Sequence, residues 1–343
     1  MYLCPIKMII LSHSISNMKI EKCFSIDDVR VHRSAIMGIA MLSIMLFHQE
    51  FLSVPPFNAF HYCGYWGVEI FLFLSGMGMV NSLNSHSTRE FYKRRFIRLF
   101  PACFLFGSIK ILFYYATSPA FYELYDVMHL GMLSFFSLDL WFINVIIIYY
   151  AISPALYYCL KRWSGIMVGV VFLLCVLSHL FVDPIAESDW YSPWGIVNWT
   201  LRRLPVFSIG MYVGIYPQIL SRKTTLVCSC LAFIAAVVMV LISKIPSLFN
   251  FWGFLRNLFI AVGTAFMVYI CIFMLEKLNK TAYRLLTSFG IVSLELYLIH
   301  EFVFRTFNLE LNGSVNNLIL LSLAFAISLI VAFLGKWLLS KLA

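Results

Sequence analysis

Residues 63–83 run Cys63-Gly-Tyr-Trp-Gly-Val-Glu-Ile-Phe-Leu-Phe-Leu-Ser-Gly-Met-Gly-Met-Val-Asn-Ser-Leu83, an apolar stretch with a single charged side chain, Glu69. About 20 apolar residues in a helix cross a hydrocarbon core roughly 30 Å thick. This stretch therefore predicts a transmembrane helix, and it is one of a series. Runs of spanning length recur at 35–54, 99–117, 139–160, 165–182, 204–221, 224–243, 257–275, 285–304 and 316–338. Across all 343 residues, 62 % are hydrophobic and 12 % charged, with a mean hydropathy of +0.88. Soluble domains carry about twice that share of charge, so lipid must solvate most of this surface. The expected fold class is all-α: an integral membrane bundle of about ten transmembrane helices. No repeat or low-complexity linker divides the chain. A short N-terminal cytoplasmic segment, 1–32, and one transmembrane domain, 33–343, are expected.

Orientation follows from the basic residues. With ten spans, 19 of the 25 Lys and Arg fall on one side and five on the other, Lys110 lying inside the third span. Cytoplasmic loops collect such residues, so both termini are expected in the cytoplasm. The same bias accounts for the net charge of +9, and no soluble basic face suggests nucleic acid as a partner. The nine cysteines are scattered and odd in number. That pattern fits neither a disulfide framework nor a zinc site, so they are expected as small buried hydrophobes, and no metal is expected. Met8 to Leu11 is too short for a signal-peptide core, and Met18 is an alternative start.

Charged groups inside a bilayer are costly, which makes them functional candidates. His48 lies about 22 Å along its helix from Arg33, taking 1.5 Å per residue. Glu69, in the next helix, lies at a similar depth. A His–carboxylate pair is one expectation: the imidazole would take a proton from a hydroxyl and the carboxylate would hold the ring. A helix-bridging hydrogen bond is the other. Glu295, His300 and Lys110 are further candidates, with His300 expected in wet surroundings near the outer end. Asn144, Ser75 and Ser293 are expected as packing residues. Arg89, Lys93, Arg94, Arg95 and Arg98 cluster ahead of Pro101, which is expected in the first turn of the third helix. The cluster fits a topogenic loop, and it equally fits a clamp for phosphate, since guanidinium forks match phosphate oxygens.

Six segments in order resemble the acyltransferase-3 family of multipass membrane acyltransferases. They are Met37 to His48; Gly64 to Gly76; Phe91-Tyr-Lys-Arg-Arg-Phe-Ile-Arg-Leu-Phe-Pro101; Leu140-Trp-Phe142 with Pro154; Arg203-Leu-Pro-Val-Phe-Ser-Ile-Gly210; and Gly290 to His300. The resemblance runs from about residue 33 to the C-terminus. It implies O-acyl transfer, with acetylation foremost, from cytoplasmic acetyl-CoA or another acyl-CoA to a hydroxyl of a cell-surface or exported carbohydrate or glycolipid. It further implies His48 and Glu69 as catalytic residues and Arg33, Arg94, Arg95 and Arg98 as acyl-CoA ligands. Trp141, Ser293, Glu295 and His300 fall in matching segments as further candidates. A bacterial inner (plasma) membrane is the implied location. One position departs from the family pattern: Met37 stands where an Arg usually precedes the essential His. Arg33 lies one turn earlier on a similar face and is the expected substitute. Two other classes share this composition, a multipass transporter and a non-catalytic subunit of a polysaccharide export system. The Trp-rich segment 183–200 fits an interfacial aromatic belt as well as a sugar-stacking surface.

Overall fold

A computed structural model describes residues 23–24, 26–48, 65–117, 141–182, 193–217, 220–242, 249–306 and 315–342. Trp190 and Tyr191 lie outside these residues. Among the described residues the architecture is all-helical apart from a two-residue antiparallel pairing of Cys23–Phe24 with Leu220–Ser221. The helices in chain order are α1 (Ile26–Phe47), α2 (Tyr65–Ser85), α3 (Thr88–Thr117), α4 (Trp141–Arg162) and α5 (Ser164–Leu177). They continue with α6 (Pro193–Ile215), α7 (Arg222–Ile242), α8 (Phe249–Leu275), α9 (Lys280–Ile291), α10 (Ser293–Thr306) and α11 (Val315–Leu342). A π-helical turn, Ser178–Val182, extends α5.

Among the described residues, six helices are long and apolar enough to cross a membrane, and α9 with α10 make a seventh if their 82° bend lies within one crossing. The expected spans find helical counterparts, with physical reasons where the shapes differ. Arg202 and Arg203 sit within α6 instead of preceding it, which dilutes that helix's apolarity. The expected span 285–304 is broken at Val292. The arginine cluster is helical: α3 starts at Thr88, so Arg89 to Arg98 form its first three turns and Pro101 falls in its interior.

Small residues bring the helices together. Without water to drive association, membrane helices gain from close backbone approach, which glycine permits. A Cβ on Gly290 would lie 1.7 Å from the Ser34 carbonyl oxygen, and one on Gly38 1.9 Å from that of Leu286. The crossing of α1 and α9 thus closes on glycine from both sides. The α2–α6 crossing is built alike: a Cβ on Gly76 would meet the Phe207 carbonyl oxygen at 2.2 Å, and one on Gly210 that of Phe73 at 2.2 Å. These glycines belong to the ordered motifs of the sequence, and their chemistry is packing. Of the described cysteines, Cys103, Cys175 and Cys271 are buried as expected, whereas Cys230 is exposed.

The Gly290→Val variant is expected to lose about 3 kcal/mol or more of stability, because backbone blocks the new side chain. Gly169→Val, where nothing lies within 4 Å, should stay within about 0.5 kcal/mol of the parent. Thermal melts in detergent check both; equal melting temperatures for the two variants would contradict the crossing.

Candidate active site

α1, α2, α3, α4 and α10 enclose a narrow cavity of about 70 Å³. Its walls include Arg33 and Met37 from α1, Ser75 from α2, Arg95 and Arg98 from α3, Tyr150 from α4, and Ser293 and Tyr297 from α10. A wider cleft of about 550 Å³ opens beside it, lined by Asn81, Ser82, His86, Arg94, Arg95 and Arg98 among others. Arg95 and Arg98 are walls of both. The four arginines expected as acyl-CoA ligands are therefore brought together across α1 and α3, although more than 60 positions separate Arg33 from Arg98 in the sequence.

Electrostatics gives this arrangement a preference. Among the described residues, neither lining contains a carboxylate. The guanidinium of Arg95 lies 5.4 Å from the Phe91 ring centroid and 5.7 Å from that of Tyr150, and its Nε has no hydrogen-bond partner among the described residues. Arg94 lies to the outside, where it pairs with Glu90 at 3.2 Å. Like charges gathered at one cavity repel one another, and an anionic ligand relieves that repulsion. Guanidinium groups around a cleft that narrows into the bundle suit a ligand with an anionic head and a thin arm.

Two serines expected as packing residues, Ser75 and Ser293, line the narrow cavity, and Tyr150 and Tyr297 join them. Met37 lines it as well, with Arg33 one turn away on the same wall. Arg33 thus occupies the cavity that an arginine at position 37 would enter.

Glu69 has a partner the sequence reading did not name. Its Oε1 lies 3.2 Å from Nε of Arg203, and both side chains are 2 % exposed. The Arg203 guanidinium lies against two indoles, 4.6 Å from the Trp141 centroid and 4.4 Å from that of Trp199, and these rings stack on each other at 4.9 Å. Cation–π attraction is strongest where water is excluded. Trp141 is accordingly a wall for a buried cation, and Trp199 of the Trp-rich segment turns inward. The legible signal was the Trp199–Arg203 spacing of i, i+4 within one helix.

His48 at the end of α1 meets His300 of α10, with ring centroids 5.1 Å apart. His300 is 1 % exposed, which corrects its expected wet interfacial position: α10 turns this face into the bundle. Its ring also meets Tyr297, at 5.8 Å, so ring contacts run from the narrow cavity through Tyr297 and His300 to His48. Glu295 is not among the cavity-lining residues. It faces Lys336 of α11 at 3.8 Å, and Lys336 also donates to the Ile291 carbonyl at the end of α9. Among the described residues, no group of three His, Cys, Asp or Glu is placed to hold a metal ion.

The chain belongs to the acyltransferase-3 family: that family's model, described as an acyltransferase domain, matches residues 35–340. No curated protein and no solved structure matches it. The family and the apolar helices together make this a multipass membrane acyltransferase.

Removing one partner of the Glu69–Arg203 pair leaves a buried charge alone and should cost about 3–5 kcal/mol. Glu69→Gln and Arg203→Met are each expected to melt well below the parent, and the double variant to recover part of the loss. A double variant as unstable as the sum of the singles would mean the two do not act as a unit.

Proposed function

We propose that this chain is an O-acyltransferase, in the first instance an O-acetyltransferase. It takes the acyl group from cytoplasmic acyl-CoA and delivers it to a hydroxyl of a cell-surface or exported carbohydrate or glycolipid. The reading includes ten crossings, with α9 and α10 as one broken crossing, both termini in the cytoplasm, and the inner membrane of a bacterium as the setting. The observation that carries it is the pair of adjoining cavities: a wide cleft and a narrow extension share Arg95 and Arg98, with no carboxylate among the described lining residues.

In this reading the phosphates of CoA sit at Arg94, Arg95 and Arg98 in the cleft. Arg33 draws the charged part of the ligand to the mouth of the narrow cavity. The pantetheine arm enters between Ser75, Tyr150 and Ser293, and its span on the order of 15–20 Å approaches the roughly 22 Å separating Arg33 from His48 along α1. The acceptor hydroxyl enters from the opposite face. Neutral His48 removes the hydroxyl proton as the oxygen attacks the thioester carbonyl carbon. The tetrahedral intermediate collapses with cleavage of the C–S bond, the ester leaves, and the imidazolium returns the proton to the CoA thiolate. Helix-breaking segments also occur in transporters, so the 82° bend between α9 and α10 favours a second reading, passage of an anion along the arginine-lined path. Production of free CoA separates the two readings.

With acetyl-CoA and a surface-polysaccharide acceptor, the purified protein is expected to release CoA. His48→Ala, still folded by thermal melt, should lose at least about 10²-fold in kcat. Equal release by both proteins would remove His48 from the mechanism, and no release from either across several acyl donors would favour transport or a non-catalytic assembly role. Arg95→Gln and Arg98→Gln are expected to raise KM for acyl-CoA about tenfold or more, with a smaller change in kcat, because each deletes a charge-assisted hydrogen bond. Unchanged KM values would move the CoA site elsewhere.

A further inference from the structure

One of the two sequence expectations has a carboxylate, Glu69, hold the His48 ring. In the structure Glu69 is engaged with Arg203, and the His48 ring meets a second imidazole, His300, besides its chain neighbour Phe47.

The environment of His300 determines which of its nitrogens carries the proton. Nδ1 lies 3.1 Å from the Leu296 carbonyl oxygen and 2.9 Å from that of Tyr297. Both neighbours are acceptors, so Nδ1 must be the donor. Neutral His300 is therefore the Nδ1–H tautomer, and its lone pair is on Nε2. That nitrogen is buried and has no hydrogen-bond partner among the described residues, although buried polar atoms are nearly always satisfied. The rings of His48 and His300 meet at 5.1 Å with an interplanar angle of 68°, edge towards face.

We propose that His300 is the positioning residue for His48: its Nε2 accepts a hydrogen bond from one nitrogen of His48, which fixes the His48 tautomer and leaves the other nitrogen bare towards the acceptor hydroxyl. The inference rests on the proposed role of His48 as general base. The protons balance. The hydroxyl proton moves to the bare nitrogen, and His48 becomes an imidazolium that still donates to His300. The thiolate released by C–S cleavage takes that proton back, and His300 does not change protonation state. A neutral partner also suits the surroundings. From α3, Lys110 acts electrostatically on His300, and on α10 itself Tyr297 and Glu301 are its titratable neighbours. A bare imidazole lone pair orients His48 without placing a second buried anion in the bilayer.

Two measurements test this. The first does not depend on activity: histidine-selective 15N NMR of the full-length protein in detergent, with the two residues assigned by their loss in His48→Ala and His300→Leu. The expected result is His300 protonated on Nδ1 with bare Nε2, and His48 in one tautomer that becomes a mixture in His300→Leu. A proton on His300 Nε2, or a His48 tautomer indifferent to His300→Leu, would overturn the proposal. The second is kinetic. His300→Leu should lower kcat on the order of 10²-fold while KM for acetyl-CoA stays within about twofold. His300→Gln, whose amide oxygen accepts the same hydrogen bond, should recover most of that loss. Equal loss in folded Leu and Gln variants, or wild-type kcat in the Leu variant, would count against it. If the wild type releases no CoA, the enzymatic reading fails and the NMR result alone decides the pairing.

Discussion

The bilayer sets the constraint on which this fold depends: a charge buried in it must have a partner. Glu69 and Arg203 satisfy that condition for each other, and in doing so they tie α2 to α6. Trp141 at the start of α4 and Trp199 on α6 close over the guanidinium, so one ion pair gathers three helices. The glycine crossing at Gly76 and Gly210 brings the same two helices to backbone contact. A buried ion pair adds little net stability over an apolar replacement, yet it penalises any arrangement that separates its members. Its role here is to specify how α2, α4 and α6 sit together, and α2 and α4 are two of the helices that wall the narrow cavity.

Two helix faces then lay out the path from cleft to His48. On α1, Arg33, Met37 and His48 fall at offsets of 4 and 15 residues; Met37 and His48 lie within about 20° of one another around the axis at 100° per residue. On α10, Ser293, Tyr297 and His300 follow the i, i+4, i+7 spacing of a single face. The first two line the cavity and the third meets His48. The arginine of α1 can occupy position 33 in place of 37 without leaving this face, since one turn moves it only about 6 Å along the axis towards Arg95 and Arg98.

Much of this was legible in the sequence because the bilayer imposes a strong period and length on apolar runs. The helical segments followed from the apolar runs, the arginine group from its clustering beside one of them, and His48 and Glu69 were singled out as ionisable groups placed where hydrocarbon should be. What was not legible was partnership. Depth along an axis places His48 and Glu69 at similar heights, but the rotation of each helix decides which neighbour a side chain meets, and an apolar sequence with weak amphipathicity carries little information about rotation. Arg203 was assigned to a loop because its charge suggested a helix boundary; the indoles that shield it are one turn away on α6 and across the bundle on α4. His300 was assigned to water because it falls near the outer end of its expected span. Ser75 and Ser293 are small polar residues of the kind that usually bridge helices, and their place in the cavity emerges only when five helices are assembled.

The break at Val292 explains how one stretch of chain serves two incompatible needs. α9 has to lie against the backbone of α1 through Gly290, with no space for a side chain between them. A straight continuation would hold the next residues at that same crossing, where Ser34 and Gly38 leave no cavity. Bending by 82° releases α10 from that contact, so that its Ser293–Tyr297–His300 face turns to the cavity and to the far end of α1. The break leaves carbonyls at the end of α9 without helical partners, and Lys336 supplies a donor to that of Ile291 while its charge faces Glu295. Glu295 in this way sits beside the cation that caps the break.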